Sequence, residues 1–75
     1  MKFLKIEVCI SHNYKLLYQI FKAPGEYIVH DYYLHKIHCV ASVLDIFPIL
    51  NDCLLLDKAV VTDIGKALAR LERGE

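Results

Sequence analysis

The sequence predicts a small α+β domain, and three observations carry that prediction. Leu4, Ile6, Val8 and Ile10 alternate with Lys5, Glu7 and Cys9, the period-two pattern of a strand. Tyr14, Leu17, Tyr18 and Phe21, and again Ile64, Ala67, Leu68 and Leu71, fall at i, i+3, i+4 and i+7, the stripe of an amphipathic helix. The chain has 75 residues and 8.7 kDa, enough for a single domain, 1–75, and too short for a second core.

Taken in order, the first element reads as the strand over 4–10, with a first helix as the alternative because Phe3 and Cys9 blur the alternation. Ser11 or Asn13 caps a helix over 13–22, with Lys15, Gln19 and Lys22 off its apolar stripe, and Pro24-Gly25 ends it. Residues 26–38 read two ways. Tyr27-Ile28-Val29 is a short strand followed by a helix capped by Asp31 and running over Tyr32–His38, or Tyr27–Tyr33 is one strand. The first way is preferred. Val40–Phe47 reads as a buried helix that Pro48 ends or kinks. Leu54-Leu55-Leu56 and Ala59-Val60-Val61 read as two short strands about Asp57-Lys58. The final helix takes Thr62 as N-cap, Asp63 in its first turn and Gly74 after its end.

That order resembles a winged-helix (winged helix-turn-helix) domain of the prokaryotic repressor type, over roughly residues 13–73. The segment Val60-Val61-Thr62-Asp63-Ile64-Gly65-Lys66-Ala67-Leu68-Ala69 is similar to the point where the wing's second strand enters the last helix. Many such repressors carry Leu-Thr-x-x-Gly-x-x-Leu there; Thr62 and Gly65 match, and Val61 replaces the usual Leu. The resemblance implies three to four helices with a short β-hairpin. It also implies binding of double-stranded DNA through a recognition helix in the major groove and a wing on the backbone. On this chain the contacts would fall to Lys36, Ser42 and Lys58. The departures are chemical. The helix in the recognition position, Val40–Leu50, carries Ser42 and Asp45 but no Lys or Arg, whereas phosphate contacts draw on several basic side chains. Val40, Val43, Leu44 and Phe47 also read simply as core.

Composition narrows the function classes. Nine basic residues balance nine acidic ones, so no strong positive field is available for nucleic acid. The apolar fraction of 56% exceeds the roughly 45–50% of ordinary globular chains, and a chain this short buries only about 60% of its unfolded surface. That excess predicts a partner. The longest uncharged stretches, Ile37–Leu44, Ile46–Asn51 and Cys53–Leu56, fall short of the roughly 20 residues of a membrane span. Lys5 and Glu7 interrupt any signal-peptide core. Three widely spaced cysteines, Cys9, Cys39 and Cys53, suit a reducing compartment. A cytoplasmic protein without membrane contact is expected.

Chemistry-bearing residues crowd in one place, where His30, His35, His38 and Cys39 lie within ten residues. On a helix the last three would share a face suited to zinc, with His12 or Cys9 completing the site. Their spacing fits no common zinc pattern, and solvated histidines with Cys39 as small core filler is the preferred reading. A Cys39–His nucleophilic pair would need an orienting acid and an oxyanion hole. The expectation is therefore no enzyme, no metal and no cofactor. Histidines that titrate in the physiological window could also sense pH. Of the five tyrosines, Tyr14 and Tyr18 read as core, while Tyr32 and Tyr33 read as interface.

The leading expectation is a DNA-binding transcriptional regulator acting as a homodimer. The alternative is a protein-binding adaptor or inhibitor, of the kind mobile elements encode, docking through an apolar patch around residues 27–56. Its interface residues would be Tyr32, Tyr33, Leu54 and Leu56.

Overall fold

In the computed structural model, residues 7–73 are described. They form four strands, β1 (Glu7–His12), β2 (Lys15–Ala23), β3 (Glu26–Asp31) and β4 (Lys36–Val40). These make one antiparallel sheet in the order β1-β2-β3-β4. A 3₁₀ turn over Val43–Asp45 leads into α1 (Ile46–Asn51), and a loop leads on to α2 (Lys58–Arg73). The molecule is α+β, but the expected winged-helix-like arrangement of three to four helices with a short hairpin is not what the chain builds. The sheet is the larger part, and the hairpins lie where the first helices were expected.

The helix expected over 13–22 is the β1–β2 hairpin. Asn13 and Tyr14 hold φ of 50° and 64° between the paired residues His12 and Lys15. Two positive φ values in a two-residue loop match the twist of the flanking strands. Beyond the turn, Tyr18, Ile20 and Lys22 share one face and Gln19 and Phe21 the other. The pairing slips between Ile10 and Ser11, and this bulge re-aims one side chain. Leu17 and Tyr18, though consecutive, are therefore both buried. The apparent helical stripe arose from that doubled position.

Pro24-Gly25 closes the next hairpin instead of ending a helix. Proline's fixed φ followed by Gly25 at φ 77° suits a type II turn. Residues 26–38 form two strands. Asp31 pairs with Lys36, and the Asp31 Oδ1 accepts the Leu34 N–H at 2.8 Å. The Tyr32 N–H donates to the Leu17 carbonyl at 2.8 Å. Asp31 thus caps a loop, not a helix.

Downstream, the expected helix over Val40–Phe47 is divided. Val40 ends β4, and the helical turns begin only at Val43. Pro48 lies within the first turn of α1, where its missing N–H costs little. The hairpin expected over 54–61 is absent, because α2 starts four residues before Thr62. Asp57 Oδ1 accepts the Val60 N–H at 2.9 Å, the geometry of an N-cap. Thr62 donates its hydroxyl back to the Lys58 carbonyl at 2.9 Å and caps nothing. Gly74 lies outside the described residues, as do Leu4, Ile6 and the other residues before Glu7.

The helices cover one face of the sheet. Ile10, Tyr18, Ile20 and Val29 meet Ile46, Leu50, Cys53, Ile64, Leu68 and Leu71 in one buried cluster. Within α2 the buried positions are i, i+4 and i+7, as the stripe over 64–71 required. Lys22 fastens the end of α2 by donating to the carbonyls of Glu72 (2.8 Å) and Leu71 (3.4 Å). An ammonium there complements the negative end of the helix dipole. The Tyr27 hydroxyl donates to Glu72 Oε2 at 3.1 Å. Among the described residues, no helix is long and apolar enough to cross a membrane.

Candidate functional site

Because strand side chains alternate between faces, burying Tyr18, Ile20, Tyr27 and Val29 sends their neighbours to the opposite side. No described helix packs there. Cys9, Gln19, His30 and Ile37 form one row across the sheet, and Phe21, Ile28 and Cys39 form the next. Phe21 and His30 meet edge to face at 5.2 Å. His30 lies 6.3 Å from the ring of Tyr32, whose hydroxyl donates to Gln19 Oε1 at 2.9 Å. Ile37 is 65% exposed and Tyr32 43%. Glu7 pairs with Phe21 at the β1 end of the second row; from Cys9 to Ile37 and from Phe21 to Cys39 the rows carry no Lys, Arg, Asp or Glu. An apolar, aromatic surface already ordered by its own contacts can dock another apolar surface at little entropic cost.

The covered face holds the buried polar chemistry. Asp31 is the one buried charged residue among those described, and its Oδ2 is 3.0 Å from His38 Nε2. Tyr18 is fully buried and points its hydroxyl at the Ile49 carbonyl, 3.5 Å away. Burial, and then the nearby Asp31 and Cys53, hold its phenol well above the ordinary tyrosine range. Burial and the hydrogen bond to Glu72 likewise raise Tyr27. Among the described residues, no buried polar side-chain atom lacks a hydrogen-bond partner. This network pins the β3–β4 hairpin to the core.

The residues assigned to DNA do not assemble. Lys36 begins β4, and Ser42 lies beyond its other end, about 20 Å away at strand rise. Ser42 borders the last turn of α2 beside Glu72 and Arg73, whereas Lys58 opens that helix, about 22 Å away at helix rise. No recognition helix spans Val40–Leu50. Of the residues assigned to a protein interface, Tyr32 lies on the open face and Leu54 is 89% exposed in the loop before α2. Tyr33 and Leu56 pack against the core. Leu56 also lines a shallow groove with Phe47, Val61 and Gly65.

The histidine cluster is dispersed by strand geometry. His30 is on the open face, His35 sits in the loop at φ 58°, and His38 faces Asp31. Cys39 follows His38 in the same strand and so faces the other way. Among the described residues, no group of three or more His, Cys, Asp or Glu side chains is placed to hold a metal ion.

Sequence reasoning missed Phe21, Ile28, Ile37 and Cys39 as surface residues. Their signal was weak: 26–31 carries apolar residues at both parities, Ile28 on one and Tyr27 and Val29 on the other, and nothing local says which parity the helices cover. No family model, curated protein or solved structure matches the chain.

Proposed function

We propose that the chain is a protein-binding module that docks through the helix-free face of its sheet. The observation that carries this reading is the uncharged, partly exposed surface formed by Phe21, Ile28, Tyr32 and Ile37. Nucleic acid is the poorer occupant. Stacking aromatics alone resemble a single-strand platform, but such platforms add a basic groove that follows the phosphates. The rows from Cys9 to Ile37 and from Phe21 to Cys39 supply no cation. Apolar contact requires none.

Affinity capture from the source organism with three immobilised proteins tests the reading. Wild type retains a defined partner at both low and high salt, because apolar burial is little screened. Ile28→Lys loses that partner, while Lys66→Glu, on the exposed side of α2, retains it. Retention by Ile28→Lys, loss through Lys66→Glu, or release at moderate salt overturns the proposal.

A further inference from the structure

The two edges of the sheet differ. The β1 edge lies beside the bulge at Ile10/Ser11, a feature that twists an edge away from new partners. The β4 edge has no such protection. Its five residues pair with β3 in an unbroken ladder from Tyr27↔Val40 to Asp31↔Lys36, and it contains no proline and only one charge, Lys36. Ile37 and Cys39 stand exposed on it. Among the described residues, β4 has a hydrogen-bonded neighbour on one side only.

We infer that β4 pairs with β4 of a second copy, joining the two sheets into one of eight strands about a twofold axis at His38. Antiparallel pairing that uses all five residues fixes this register: Lys36 opposite the partner's Val40, Ile37 opposite the partner's Cys39, and His38 on the axis. The fit is one of charge and of shape. The two Lys36 ammoniums fall at opposite ends of the junction, about 14 Å apart at strand rise, beyond the Debye length of about 8 Å. The neutral chain adds no net repulsion. The Ile37–Cys39 contacts continue across the junction the ladder already formed by Ile28↔Cys39 and His30↔Ile37. A twofold arrangement is also the commonest in soluble assemblies.

Area favours the same arrangement, and here the inference rests on the docking reading. Four strands of roughly six residues present a face of roughly 400 Å², about half the roughly 800 Å² that each side of a standard interface buries. Two faces side by side supply that area. A five-residue junction is itself small, so the dimer is reversible and forms in the micromolar range or above.

Light scattering from micromolar to millimolar protein tests this with two charge variants at exposed positions. Ile37→Lys with Cys39→Lys sets like charges directly opposite one another only in the dimer, and so does Ile37→Glu with Cys39→Glu. Wild type gains mass toward a dimer as concentration rises. Each variant alone stays monomeric with an unchanged melting temperature, and an equimolar mixture of the two regains dimer mass. Wild type that is monomeric throughout, variants that still dimerise, or a mixture that stays monomeric overturns the inference. Ile28→Lys, on β3 and one strand in from the edge, separates the two proposals: it loses the docked partner and keeps the dimer.

Discussion

Ile20 and Phe21 are neighbours in β2, as Ile28 and Val29 are in β3, yet each pair is divided between two environments. Ile20 and Val29 are fully buried beneath the helices, while Phe21 and Ile28 lie half-buried on the open side. At these four positions the two faces are chemically alike, apolar and β-branched or aromatic. They differ in what covers them: Ile46, Leu50, Ile64 and Leu68 on one side, and no described helix on the other. One face has become core and the other a candidate interface because α2 can lie across only one of them.

Substitution at one residue of each face gives the largest contrast. Ile20→Ala should lose about 2–5 kcal/mol of unfolding free energy through transfer and cavity terms. Ile28→Ala should lose less than about 1 kcal/mol, the level of a surface change. Chemical denaturation checks both, and equal losses would mean that the open face is covered in solution.

A smaller effect separates the faces by pH. Tyr18 and Tyr27 are on the covered side, and both phenols are raised in the folded state. A raised folded value means that folding favours the neutral phenol. Its contribution is therefore fully present below the ordinary tyrosine pKa of about 10 and is lost as pH rises above it. Ultraviolet titration should show two phenols ionising late, together with the loss of far-ultraviolet dichroism. Tyr27→Phe should remove one of them and cost about 1 kcal/mol, the worth of a hydrogen bond. Ionisation of all five tyrosines before any unfolding would contradict this burial.

The smallest effect is at the turn that sets which residues of β1 and β2 face which way. Tyr14 is fully exposed and holds φ 64°, a conformation costing a non-glycine residue roughly 1–2 kcal/mol. Tyr14→Gly should stabilise the chain by about 1 kcal/mol, because Asn-Gly is the favoured pair for such a turn. A lower melting temperature in that variant would show that this tyrosine does more than close the turn.

The last helix was the most legible element, because Ile64, Leu68 and Leu71 repeat with a period that only a helix brings to one face. Its start was misplaced since Thr62 and Asp57 are both good caps, and the choice between them depends on where the preceding loop must run. The segment 13–22 misled because the bulge placed Leu17 and Tyr18 on one face and so imitated a helical stripe. The site was less legible than the fold. Tyr32 was anticipated as exposed, but its neighbours Phe21, Ile28 and Ile37 come from three strands, and no spacing along the chain joins them.

By itself the sequence determined the final amphipathic helix, the turn chemistry at Pro24-Gly25 and a high apolar content. These follow from local conformational preference and from composition. The tertiary structure alone decided that residues 7–40 form a meander, that His38 and Cys39 face opposite ways and that Tyr32 and Ile37 stand exposed on the helix-free side of the sheet. Strand pairing joins residues distant in the chain, and which face the helices cover is settled by packing, which no local pattern encodes.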